Sequence, residues 1–333
     1  MPQSSIGDLS RSRQPPTQAT YYEGSWSDLP VSPLAGTGQV LNLRHTLDCG
    51  QAFRWRLRED GWWHGVVAGQ AIRLREGDGH CLCQVYPPVP DAEALLWRYF
   101  RLDVDLPSVV AELASRDASI RPALDAFPGL RVLAQDPEEA LVSYLCSPAN
   151  SVARISGSIE ALSRHHGPLI ARLDGVDYHA FPSLKALAAA PDSDFRVAGL
   201  GWRGREIRTV AWLLLAMPVG WVASLAALPY LEAKAALVSL PGVGPKIADC
   251  VCLFGLRKDE AVPVDTHVWA LARQLFAAEL GGEHARRALT SAAYERVRRL
   301  YEARYGRWAG WAQQYLYHWR RQGRRLGSST ASE

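Results

Sequence analysis

The chain has 333 residues, of which 48% are hydrophobic, and a formal charge of only +3 from 37 basic and 34 acidic side chains. That composition supports real cores and excludes a disordered chain. No apolar run approaches the roughly 18 residues of a membrane helix, and the start, MPQSSIGDLSRSRQPP, holds no apolar signal segment, so a soluble intracellular protein is expected.

Residues 1–37, rich in Ser, Pro, Gly and Gln, read as a flexible tail. From about Gln39 to Tyr86 apolar residues alternate: Phe53, Trp55 and Leu57 stand between Arg54, Arg56 and Arg58, and Cys81, Cys83 and Val85 repeat the pattern. Glycine-rich breaks separate the runs, which predicts an antiparallel meander with one buried face within an N-terminal domain over 38–130. After Pro90 the period becomes helical. Asp91 heads a helix carrying Leu95, Leu96, Tyr99 and Phe100, and Asp136-Pro137-Glu138-Glu139 forms a cap with proline at the first position. Further helices are expected over 150–166, after Ser183 and over 205–217, within a helical region spanning 131–325. The basic end at 318–325 (HWRRQGRR) reads equally well as a solvated tail or as a phosphate contact, and 326–333 as a flexible end. The fold class is α+β: an antiparallel sheet domain followed by a mostly helical region.

Only four basic residues are lysines: Lys185, Lys234, Lys246 and Lys258. Arginine does not deprotonate, so an amine nucleophile must come from these four. Lys246 ends Leu240-Pro-Gly-Val-Gly-Pro-Lys and precedes Ile247, Cys250, Val251 and Phe254, which are spaced i, i+3, i+4, i+7. Two helices joined by Pro-Gly-Val-Gly make a helix–hairpin–helix. Gly242 and Gly244 let a partner approach, and the amides at the start of the second helix suit a DNA phosphate. A lysine in that first turn faces the positive helix end, which favours the free amine that attacks carbon. Taken alone, the hairpin also fits an ordinary helical corner, and Lys246 a phosphate contact.

The next segment, Val262-Pro-Val-Asp-Thr-His-Val-Trp, starts another helix with Val268, Leu271, Ala272 and Leu275 on one face. Asp265 falls at its N-cap. A carboxylate held there either merely caps or also faces a site, where it would stabilise positive charge developing on a sugar as a glycosidic bond breaks.

These residues carry a resemblance. LPGVGPKIADC with VPVDTHVW is similar to the helix–hairpin–helix DNA glycosylases. CGQAFRW (49–55), YLCSPANSVARI (144–155), YHAFPSL (178–184), GLGWRGR (199–205) and GWAQQYLY (310–317) resemble the 8-oxoguanine glycosylase/lyase branch, from about Leu41 to Tyr317. The resemblance implies base flipping from duplex DNA containing oxidised guanine. It makes Lys246 the Schiff-base nucleophile and Asp265 the catalytic carboxylate. Gly50 would offer its carbonyl to the N7 hydrogen of the oxidised base, Gln313 would bind its Watson–Crick edge, and Cys250 and Tyr317 would sandwich it. His267 would hold the backbone, Arg154 and Arg203 would read the orphan cytosine together with Asn150, and Trp202 would wedge into the stack. Gly242, Val243 and Gly244 would meet phosphate. The pattern departs at Ala149, where an asparagine helps hold the cytosine, and at Pro245, Trp202 and Tyr317. No catalytic cofactor is implied, only a cation on the hairpin carbonyls. With no cysteine after Cys252, an iron–sulfur cluster is not expected, and all six cysteines read as reduced thiols. A monomer acting at DNA, in a bacterial cytoplasm or a nucleus, follows. The alternatives are a monofunctional glycosylase for alkylated bases and a non-enzymatic DNA-binding module.

Overall fold

A computed structural model describes residues 21–34, 40–77, 81–148, 150–281 and 288–323. Among the described residues, eight strands form two sheets. The larger has the order β2 (Ser32–Leu34), β6 (Cys81–Tyr86), β5 (Gln70–Glu76), β4 (Trp63–Val67), β3 (Arg56–Leu57), antiparallel throughout. The smaller has the order β1 (Tyr22–Gly24), β7 (Leu169–Leu173), β8 (Val176–His179), with β1 parallel to β7. The rest is mostly helical, around one large apolar core.

The antiparallel meander is present, but three expectations need correction. Residues 21–34 are not a tail. Trp26 is 1% exposed, packs with Val66, Ala171 and Leu173, and donates Nε1 to the Tyr178 hydroxyl at 3.3 Å. A single large indole anchors this segment, although its composition is polar. We expect Trp26→Ala to cost about 3–5 kcal/mol, read as a lowered denaturation midpoint. Residues 1–20, 35–39 and 326–333 lie outside the described residues.

The second correction concerns 49–57. Phe53 and Trp55 are buried as their alternation predicts, but only Arg56 and Leu57 pair with β4, and Leu57 is exposed. Phe53 instead meets the Tyr144 ring edge-on, and Trp55 donates to the Tyr99 hydroxyl at 2.8 Å. These rings pin an irregular loop against the helices. Third, 318–325 does not begin as a tail. His318 and Trp319 are buried in the last turns of the C-terminal helix, Ala309–Arg321, while Arg324 and Arg325 lie outside the described residues.

The helix starts behave largely as their residues dictate. Asp136 Oδ1 accepts from the amides of Glu138 and Glu139 at 3.0 and 2.8 Å, ahead of Pro137 at the first position. Ser151 caps Val152–His166, and Ser183 caps Leu184–Ala189. Asp91 precedes Ala92–Tyr99 without a capping bond.

Candidate active site

The helix Tyr230–Val238 leads through the hairpin into the lysine helix, Pro245–Phe254. Gly242 has φ +77°, a conformation that glycine adopts freely and other residues rarely, and it lies close to the Glu206 carboxylate. Gly244 is the N-cap and has no side chain to supply a capping bond. The first-turn amides therefore await an outside acceptor. Val243 differs from expectation. Its side chain is 4% exposed in the core, and its amide donates to Leu240 O at 3.1 Å. Neither group is open to DNA.

Lys246 sits at the second position of the helix. Its Nζ donates to Ser147 Oγ at 3.0 Å and lies 5.3 Å from the centre of the Tyr144 ring. Ser147 in turn donates to Tyr144 O at 2.7 Å, so its remaining lone pairs face the lysine. Asp265 is the N-cap of the helix Thr266–Leu275, with Oδ1 accepting from Val268 N at 2.8 Å. A buried network ties the two segments together. Asp249, one turn beyond Lys246, is fully buried and accepts from the hydroxyls of Tyr230 and Tyr294, each at 2.6 Å, with Lys234 Nζ at 3.1 Å. Burial raises its carboxyl above the usual range. The amide of Val264, next to Asp265, donates to the Tyr294 hydroxyl at 3.3 Å.

Lys246 and Asp265 both line a cleft of about 820 Å³ and a recess of about 50 Å³. Gly50 and Tyr317 also line both, while Cys250 and Gln313 line the recess. Asn150, Gly244 and His267 line the cleft, and His267 meets Tyr317 edge-on at 5.8 Å. Burial pushes the Cys250 thiol up to about 12, so it presents a neutral sulfur. Gln313 is 3% exposed, and its Oε1 has no hydrogen-bond partner. An orphaned buried acceptor is costly, and a site awaiting a donor accounts for it.

The turn 48–51 shows a further pattern. Asp48 O accepts from Arg321 Nη1 at 2.7 Å, and Cys49 O from Gln314 Nε2 at 3.3 Å. Gln51 O accepts from Gln135 Nε2 at 2.7 Å and Tyr144 OH at 3.0 Å. Among the described residues, only the Gly50 carbonyl of these four takes no hydrogen bond. Ser147, Gln314, Arg321 and Tyr144 were not singled out by sequence reasoning. Tyr144 and Ser147 do lie in the YLCSPAN block, Gln314 in GWAQQYLY and Arg321 in the basic run 318–325.

Arg154, Trp202 and Arg203 do not line the cleft. Arg203 donates Nη2 to Pro148 O and stacks 4.9 Å from the Trp202 ring, which fixes both beside the 146–151 loop. Trp202 is 61% exposed, Arg154 is exposed, and Asn150 donates Nδ2 to Cys146 O at 2.9 Å. Ala149 lies outside the described residues.

A lysine and a carboxylate at the starts of two helices thus share one recess, beside a hairpin with open amides. The family model of the 8-oxoguanine DNA glycosylase N-terminal domain matches residues 34–141. The N-glycosylase/DNA lyase OGG1 of Arabidopsis thaliana is 35% identical over 294 residues, covering 86% of this chain and 79% of that protein. The N-glycosylase/DNA lyase of Saccharomyces cerevisiae is 31% identical over 324 residues, covering 85% and 84%. The 8-oxoguanine glycosylase/lyase of Clostridium acetobutylicum, solved with dsDNA containing cytosine opposite 8-oxoG, superposes with a TM-score of 0.74 at 27% identity, covering 85% of this chain and 92% of that one. The chain belongs to the N-glycosylase/DNA lyase family of 8-oxoguanine DNA glycosylases.

Proposed function

We propose that this chain excises 8-oxoguanine from duplex DNA and then cuts the strand, with Lys246 as nucleophile and Asp265 as the carboxylate that stabilises the sugar. The observation that carries the reading is the pair of unpaired acceptors beside the reacting groups. Oxidised guanine offers N–H donors at N1 and N2 and, unlike guanine, at N7. The Gln313 Oε1 and the Gly50 carbonyl are acceptors of the matching kind. Guanine presents an acceptor at N7 instead and would set two oxygen and nitrogen lone pairs against each other.

The Lys246 amine forms a bond to C1′ as the glycosidic bond breaks and its electrons leave with the base. One amine proton passes to the departing base, and the ring oxygen takes a proton from water as the ring opens, leaving a protonated Schiff base that draws electrons from C2′. Removal of a C2′ proton then expels the 3′ phosphate, and water releases the lysine. Asp265 stabilises the positive charge on the sugar while that bond breaks. Cys250 and Tyr317 face the base, His267 the backbone, and Arg154, Trp202 and Arg203 the opposite strand. A cation held by the hairpin carbonyls would anchor a phosphate, with the Glu206 carboxylate close to Gly242. It would supply charge for DNA binding. The protein would act as a monomer on DNA inside the cell. No helix among the described residues is long and apolar enough to cross a membrane.

The test is a duplex with 8-oxoguanine opposite each of the four bases, with and without borohydride. Strand cleavage and a trapped covalent complex are expected, with cytosine preference relaxed because Ala149 offers no hydrogen bond. Neither cleavage nor trapping opposite any base would overturn the reading.

A further inference from the structure

We infer that Arg321 is a positioning residue for lesion recognition: it clamps the 48–51 turn so that the one free carbonyl, that of Gly50, points where the oxidised base is read. The inference rests on the function proposed above. Gly50 has φ +86°, a conformation that glycine reaches freely and also leaves freely. A carbonyl that must report a single hydrogen needs that freedom removed by its neighbours. The two carbonyls before it and the one after it are all held by side chains. Three of the holders, Gln314, Gln135 and Tyr144, are neutral. Arg321 is the charged one, and a guanidinium N–H donating to a carbonyl is the stronger kind of bond.

Its place on the helix supports the same role. Gln313, Tyr317 and Arg321 are spaced i, i+4, i+8, so one face of the C-terminal helix carries the edge reader, the ring and the clamp. Arg321 lines the cleft, and its Nη1 is so close that a Cβ on Gly50 would lie 3.1 Å away. With Nη1 bonded to Asp48 O and Nη2 3.9 Å from Asp48 Oδ1, the guanidinium is directed at the turn.

Base reading and strand cutting separate this role from a phosphate contact. A duplex with a preformed abasic site needs Lys246 but no base recognition. In Arg321→Met, which keeps the apolar stem, single-turnover excision of 8-oxoguanine should fall about tenfold, what one charge-assisted hydrogen bond supplies. Cleavage of the abasic duplex should stay within about twofold of wild type. Arg321→Lys, which retains one donor, should lie between. Equal losses on both substrates would overturn the inference and make Arg321 a general DNA or fold contact, as would unchanged excision. A wild-type protein that cleaves abasic DNA but leaves 8-oxoguanine in place would instead overturn the functional reading, and the inference with it.

Discussion

Lys246→Gln should abolish borohydride trapping and strand cleavage, and slow base release by roughly a thousandfold or more. Glutamine keeps most of the length and a donor group at its end, facing the Ser147 hydroxyl that lysine now meets. It has no amine to bond C1′, and water alone must take that place. Lys246 lies at the second position of its helix and glutamine is a good helix former, so the unfolding midpoint should hold. A well-folded but inert variant therefore assigns the loss to chemistry. Undiminished trapping in this variant would move the nucleophile elsewhere. Lys234 is a poor substitute, because it is buried against Asp249 and Glu295.

Asp265→Asn should lower base excision by about 10²–10³, the scale of losing one preorganised electrostatic stabiliser. The substitution isolates charge from architecture. Asparagine caps a helix as well as aspartate, so the bond to Val268 N and the start of the helix survive. Asp265→Ala, by contrast, would lose both, with about 1 kcal/mol of stability on top. An Asp265→Asn enzyme as active as wild type, measured in single-turnover excision, would leave Asp265 as a cap and nothing more.

Much of this site is legible in the sequence because its chemistry is local. Lys246 follows its hairpin directly, and Asp265 is both cap and carboxylate within one turn of helix. The periodicity after each residue announces the helix that holds it. The clamp on the 48–51 turn is different in kind. Gln314 and Arg321 reach carbonyls 265 and 273 residues away, and no spacing rule connects positions that only the folded chain brings together. The strands at 22–24 and 32–34 are three residues each, too short for alternation to show. The β7–β8 hairpin, inside the region expected to be helical, is nevertheless legible in the sequence. Leu169–Leu173 and Val176–His179 flank Asp174-Gly175, both with positive φ, and Asp-Gly between apolar alternating runs is a strong hairpin signal. The 53–57 alternation misled because tryptophan and phenylalanine can be buried by helices as readily as by a neighbouring strand.

The parallel pairing of β1 with β7 has a consequence for how the chain is made. Trp26 and Tyr178 are 152 residues apart, so the segment around Trp26 can complete its packing only after residue 178 has been made. Until the 169–179 hairpin has formed, the Trp26 indole has Val66, Ala71 and Arg73 of the larger sheet beside it but lacks Ala171, Leu173 and Tyr178. Closing so long a loop is slow but, once closed, adds little further entropy cost for each extra residue. The 22–34 segment thus ties the larger sheet to the 169–179 hairpin, pairing with a strand of each.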